Sequence, residues 1–245
     1  MSEEALTLAA LNAMPADEIA RRLSGPSDRR AAFVRAAAEA GIAEAQAVYG
    51  QMLLDGAGVA KDAAAAARCF WNAAKQGHVM AINMLGRCYD LGWGVTVDKA
   101  RAAEWYRIAA DLGLDWAMYN LATLMALGEG VAEDRPGALA LFRRAANLTG
   151  NAKAINFIGS FHEDGWVVER DLTEAARLYA RAAERGDFRG MFNHARMLIE
   201  ARRIDEAVAW IERLRPLATE AFRVKVAAWL RCRSEPALID AAERL

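Results

Sequence analysis

The sequence predicts an all-α protein built from repeated antiparallel helix pairs. Three observations support this: a self-similarity of fixed period, a composition of strong helix formers, and very little strand material. Alanine is the commonest of the 245 residues, apolar residues make up 55% and charged residues 26%, and mean hydropathy is only +0.01. Ala, Leu, Glu and Arg all favour helix. Five prolines and few alternating β-branched runs leave little from which to build a sheet.

The period is legible in the pattern Ala-Ala-x-x-Gly, at Ala73-Ala74 to Gly77, Ala109-Ala110 to Gly113 and Ala182-Ala183 to Gly186. Counted from Gly41, glycines fall at Gly77, Gly113, Gly150 and Gly186, at intervals of 36, 36, 37 and 36. A small residue follows each one at Ala45, Ala81, Ala117, Ala154 and Gly190, and a second at Gly50, Gly86, Ala122, Gly159 and Ala195. Then come Gly56, Gly92, Gly128 and Gly165, a valine, and Asp62, Asp98, Asp134 and Asp171. Each unit therefore reads as helix A, a glycine turn, a capping aspartate and helix B. Glycine stops a helix in the left-handed conformation without a Cβ penalty. Aspartate accepts from the unpaired amides of the next first turn. An aromatic follows in helix B, at Phe70, Tyr106, Phe142 or Tyr179.

In chain order, residues 1–30 read as an N-terminal helical cap, with short helices over 3–12 and 16–23 before Gly25-Pro26. An orphan helix B occupies 31–41, and repeats cover about 45–77, 81–113, 117–150, 154–186 and 190–214. Residues 216–245 read as a C-terminal cap with Pro216 and Pro236 as start or break signals.

The segment Leu85-Gly86 to Asp98, followed by Ala102 to Gly113, resembles a nearly complete Sel1-like repeat, a relative of the TPR unit. Other copies match less fully: Met125 and His162 stand where Tyr89 does, and Val167 replaces a turn glycine. The resemblance covers about residues 31–214 and implies a right-handed α-solenoid whose A helices line a concave face.

Little in the chain suggests catalysis or metal binding. His78, His162 and His194 occupy repeat positions that suit packing or surface roles, and no HExxH, P-loop or GxSxG motif occurs. No cofactor, metal site or catalytic residue is expected. Cys69, Cys88 and Cys232 contain no CxxC pair, the first residues are acidic, and no segment is apolar enough to span a bilayer. These features suggest a cytoplasmic protein without membrane insertion. A net charge of −1 argues against nucleic acid as partner.

Counting each A helix from its first small residue at 100° per residue leaves positions +2, +6 and +9 as an exposed stripe. The stripe contains the expected partner-binding residues Asn83, Arg87, Tyr119, Asn156, Phe192 and Arg196. Trp93 and Trp166, in variable turn positions, are candidates for edge contacts. Asparagines would pair with a ligand's backbone, the aromatics would anchor apolar side chains, and the arginines would select carboxylates. The expected function is a non-enzymatic adaptor holding an acidic-hydrophobic peptide segment of a partner protein. The alternative is a regulatory or inhibitory, immunity-type subunit that meets a folded partner through an edge or convex surface.

Overall fold

The computed structural model describes residues 7–245; residues 3–6 of the first expected helix lie outside it. The described residues form fifteen helices and no strand, arranged as an α-solenoid of stacked antiparallel pairs. None of these helices is long and apolar enough to cross a membrane. The chain divides into two compact units, the first ending at Glu133 and the second running from Asp134 to Leu245.

The first unit opens with α1 (Leu8–Asn12), α2 (Ala16–Leu23) and α3 (Ser27–Glu39). α3 starts directly after Pro26, four residues earlier than the 31–41 assignment. The first two repeats are the pairs α4 (Ala43–Asp55) with α5 (Ala63–Ala74), and α6 (Val79–Leu91) with α7 (Lys99–Asp111). α8 (Asp115–Leu127), the A helix of the third repeat, closes the unit. The second unit begins with α9 (Arg135–Thr149), then pairs α10 (Ala152–Asp164) with α11 (Leu172–Glu184) and α12 (Phe188–Glu200) with α13 (Ile204–Leu214). α14 (Glu220–Arg231) and α15 (Pro236–Glu243) end the chain, Pro236 entering at the first turn, where its missing N–H loses no bond.

The four repeat aspartates act alike. Asp62, Asp98, Asp134 and Asp171 precede helices B, and each carboxylate accepts from the third amide of its helix at 2.8–3.0 Å. His78 does the same for α6 through Nδ1, at 3.1 Å from the Ala81 amide. The amides of Asp62, Asp98 and Asp171 also return to the carbonyls of Leu53, Tyr89 and His162, which closes each turn against its own A helix.

Two kinds of close approach fix the packing. Within a repeat, the ring of helix B lies on bare backbone of helix A: a Cβ added at Gly50, Gly86 or Gly159 would stand 2.8, 2.6 or 2.7 Å from Phe70, Tyr106 or Tyr179. Between repeats, the second turn glycine rests on the start of the preceding helix B, and a Cβ on Gly94 would come within 2.1 Å of the Ala63 carbonyl oxygen. Val167 adopts the same left-handed backbone, at φ 65°, with its side chain exposed.

Gly94 and Gly113 both have positive φ, yet nothing lies within 4 Å of a Cβ built on Gly113. Gly113→Ala should therefore lose about 1 kcal/mol from backbone strain alone. Gly94→Ala must also push two backbones apart and should lose roughly 2–4 kcal/mol. Urea midpoints of the two variants check this, and equal losses would contradict it.

Candidate functional site

Within the first unit α6 packs between α5 and α7 and reaches α8 through its side chains, and within the second α10 packs against α9, α11 and α12, so the buried arc of each is wider than one face. Asn83 and Asn156 show the effect. The 100° helical count places both in the exposed stripe, yet they are only 3% and 5% exposed. The Asn83 Oδ1 accepts from Asn120 Nδ2 at 3.0 Å, and the Asn156 Oδ1 accepts from Asn193 Nδ2 at 2.9 Å. In each pair position +2 of one A helix meets position +3 of the next. The amides thus satisfy each other inside the stack, where an unpaired one would be destabilising.

In the first unit Arg87 is half-buried. Its guanidinium lies 4.6 Å from the ring centre of Trp93, and Nη1 is 3.5 Å from the Met84 sulfur. Tyr119, also half-buried, stands edge-on to Trp116 at 6.4 Å. The Thr123 hydroxyl donates to the Tyr119 carbonyl.

In the second unit Arg196 is committed to protein. Its two terminal nitrogens hold the Glu163 carboxylate at 3.1 and 2.9 Å, and Nε and Nη2 also donate to Asn193 Oδ1. The Tyr179 hydroxyl donates to the same carboxylate at 2.6 Å. Asn156, Asn193, Arg196, Glu163 and Tyr179 form one connected network. Phe192 turns away from it to pack edge-on against Phe222 and Trp229, at 5.9 and 5.3 Å. Trp166 lies against Phe161 with Arg135 stacked over it at 4.4 Å.

The first unit holds a counterpart of this network. The Tyr106 hydroxyl donates to Asp90 at 3.1 Å, and Lys99 contacts the same carboxylate while reaching Glu129 at 3.1 Å. The two networks follow from an alternation between successive repeats. Asn83, Asp90, Trp93, Tyr106 and Asn120 recur 73 residues later as Asn156, Glu163, Trp166, Tyr179 and Asn193. Where helix B offers tyrosine, helix A offers a carboxylate at +9. Where it offers Phe70 or Phe142, that position is Leu54 or Ala126.

Burial pushes the Tyr106 and Tyr179 hydroxyls upward in pKa, and the adjacent carboxylates push them further. Both remain protonated donors. For Glu163, burial acts to raise the pKa, but the hydrogen bonds from Arg196 and Tyr179 and the Arg196 charge outweigh it, leaving the group below the ordinary glutamate value. Burial pushes the Cys88 thiol up to about 11, so it is a packed and unreactive group. Among the described residues no group of three or more His, Cys, Asp or Glu side chains gathers as a metal would require.

Outside the A-helix row, Trp71 and Trp105 meet edge-to-face at 5.5 Å on helices B of the first unit. Trp71 is 42% exposed and Ile108 45%, while Trp105 is half-buried.

The sequence model of the Sel1 repeat matches residues 43–78, 79–114, 117–149 and 152–187. No curated protein matches the chain. Among solved structures, a Sel1 repeat protein from Oxalobacter formigenes is similar at 24% identity and a TM-score of 0.76, covering 94% of this chain and 96% of that one. The protein c5321, a protective antigen of uropathogenic Escherichia coli strains with an SLR fold, is similar at 25% identity and TM-score 0.68; 96% of this chain spans 55% of it. The immunity protein Pa5087 from Pseudomonas aeruginosa shares the fold at 17% identity and TM-score 0.57, over 80% of this chain and 74% of that one.

The depressed pKa of Glu163 has a pH signature. A carboxylate of this kind adds stability above its unfolded pKa, about 4.3, and loses that contribution as pH falls through the lower folded value. Wild type should therefore exceed Glu163→Gln in urea midpoint at pH 7, with the gap narrowing as acid is added below about pH 4.3. A gap that stays constant down to acid would contradict the ion pair.

Proposed function

The chain belongs to the Sel1 repeat family, and from that premise we propose that it is a cytoplasmic, non-enzymatic scaffold that binds a peptide segment of a partner protein along its A helices. Sel1 repeats generally mediate protein–protein interaction. The observation that carries the peptide reading is the +6 row, the part of the A-helix surface still open once the asparagines are buried. It presents Gln51, Arg87 and Thr123 in the first unit and Ser160 and Arg196 in the second, polar in every repeat. In this reading Arg87 and Tyr119 meet the ligand. Asn83, Asn156 and Arg196 hold the A helices at the spacing a ligand reads, Phe192 secures α14, and Trp93 orients Arg87. Trp166, stacked under Arg135, belongs to the second unit's packing.

A second reading, a regulatory or immunity-type subunit, draws support from the exposed Trp71 and Ile108 on helices B, with the half-buried Trp105 edge-on to Trp71, since tryptophan is enriched at protein interfaces. The fold it shares with the Pseudomonas immunity protein is compatible with either reading.

Selection of a random displayed peptide library on the intact protein separates them. The scaffold reading predicts enriched peptides whose binding falls about tenfold or more in Arg87→Ala, with an unchanged melt. If no peptide is enriched, and a folded partner is captured by wild type but not by Trp71→Ala, the second reading replaces the first.

A further inference from the structure

The cations around Glu163 recur in the first unit without their carboxylate. A shift of 109 residues, three repeats, sets Gly159 on Gly50, Glu163 on Leu54, Arg170 on Lys61, Tyr179 on Phe70 and Arg196 on Arg87. In the second unit Arg196 grips Glu163 with two nitrogens, Tyr179 donates to it, and Arg170 adds a second positive charge while its Nε donates to the Glu163 carbonyl at 3.0 Å. The first unit keeps both cations and lacks both central polar groups. Leu54 brings no oxygen there, and Phe70 no hydroxyl.

Arg87 is consequently a half-buried guanidinium whose neighbours are the Trp93 ring and the Met84 sulfur. Neither Arg87 nor Lys61 forms an ion pair among the described residues. Lys61 is exposed, its stem crossing Gly56, where an added Cβ would lie 3.0 Å from Lys61 Cγ. Between the two cations opens a cavity of about 420 Å³ with Leu53, Leu54 and Trp93 among its walls. Gln51 and Asp55 are at the same opening, bonded to each other at 2.8 Å. A guanidinium without an oxygen acceptor, over apolar walls, is matched by a carboxylate attached to an apolar neighbour.

We infer that this cavity receives one carboxylate side chain of the partner polypeptide, with an adjoining apolar side chain seated on Leu54 and Trp93. The ligand's carboxylate stands where Glu163 stands in the second unit. Arg87 grips it through two parallel bonds in a plane set by Trp93, and Lys61 supplies the second charge, as Arg170 does for Glu163. Asp55 at the opening disfavours a run of acidic residues, so the cavity selects a single acid beside an apolar residue. This assignment rests on the peptide-scaffold reading and names the side chains that such a peptide must carry.

The test uses two synthetic peptide pools, random except for a fixed central Glu-Leu or Gln-Leu, competed against the fluorescein-labelled Glu-Leu pool on the full chain and followed by anisotropy. The Glu-Leu pool should bind roughly ten- to a hundredfold more tightly. Arg87→Ala and Lys61→Ala should each shrink that preference, and so should added salt. Leu54→Glu supplies the carboxylate from within and should abolish the preference with the melt unchanged or raised. Equal binding of the two pools to wild type, or a full preference persisting in both Arg87→Ala and Lys61→Ala, would overturn the assignment while leaving the scaffold reading in place. A well-folded Leu54→Glu that still prefers Glu-Leu would also overturn it. Binding of neither pool would overturn both.

Discussion

Glycine beneath an aromatic ring is the contact on which the rest of this structure depends. At Gly50, Gly86 and Gly159 the ring of Phe70, Tyr106 or Tyr179 occupies space that any Cβ would need. Helix B therefore sits against A-helix backbone at these glycines, and the close contact fixes where the far end of the ring lies. Where the ring is tyrosine, the hydroxyl is carried to the +9 position of helix A and must find an acceptor, because a buried hydroxyl left unpaired is destabilising. Asp90 and Glu163 are those acceptors.

A partly buried carboxylate in turn requires a cation, and the two units meet that need differently. Lys99, at the start of α7, serves Asp90, whereas Arg196, from the next A helix, serves Glu163. The position of Arg196 in the first repeat pair is held by Arg87, which faces Leu54 where Arg196 faces Glu163. Two side-chain differences, Leu54 in place of Glu163 and Phe70 in place of Tyr179, thus separate an arginine held in an ion pair from one that is not. The same close packing that orders the helices decides which of these charges are paired within the protein.

The parts of the fold that rest on short spacings were legible in the sequence. The turn glycines, the capping aspartates and the helix order each depend on a few neighbouring residues and recur at one period. The exposure of Asn83 and Asn156 was not legible, because a helical wheel assigns one buried face while a stacked helix is contacted from three sides. The outward position of Trp71 has a simple cause. Trp71 follows the buried ring Phe70 by one residue, and that step of 100° turns it outward. The tyrosine-carboxylate networks could have been found, since the 73-residue alternation is written in the chain, but comparison of single repeats averages it away. The available state of Arg87 became visible only when its repeat was compared with the one containing Glu163.

The central claim is that Arg87 and Arg196, alike in residue type and repeat position, differ in that Arg87 has no carboxylate partner and Arg196 holds Glu163. Urea unfolding of Arg87→Ala and Arg196→Ala, side by side at pH 7, tests it most directly. Loss of Arg196 strands a partly buried Glu163 and should lower stability by about 1–3 kcal/mol. Loss of Arg87 removes no ion pair, only its stacking on Trp93 and its contact with Met84, and should cost about 0.5–1 kcal/mol. Equal destabilisation by the two substitutions, or a larger effect from Arg87→Ala, would contradict the account.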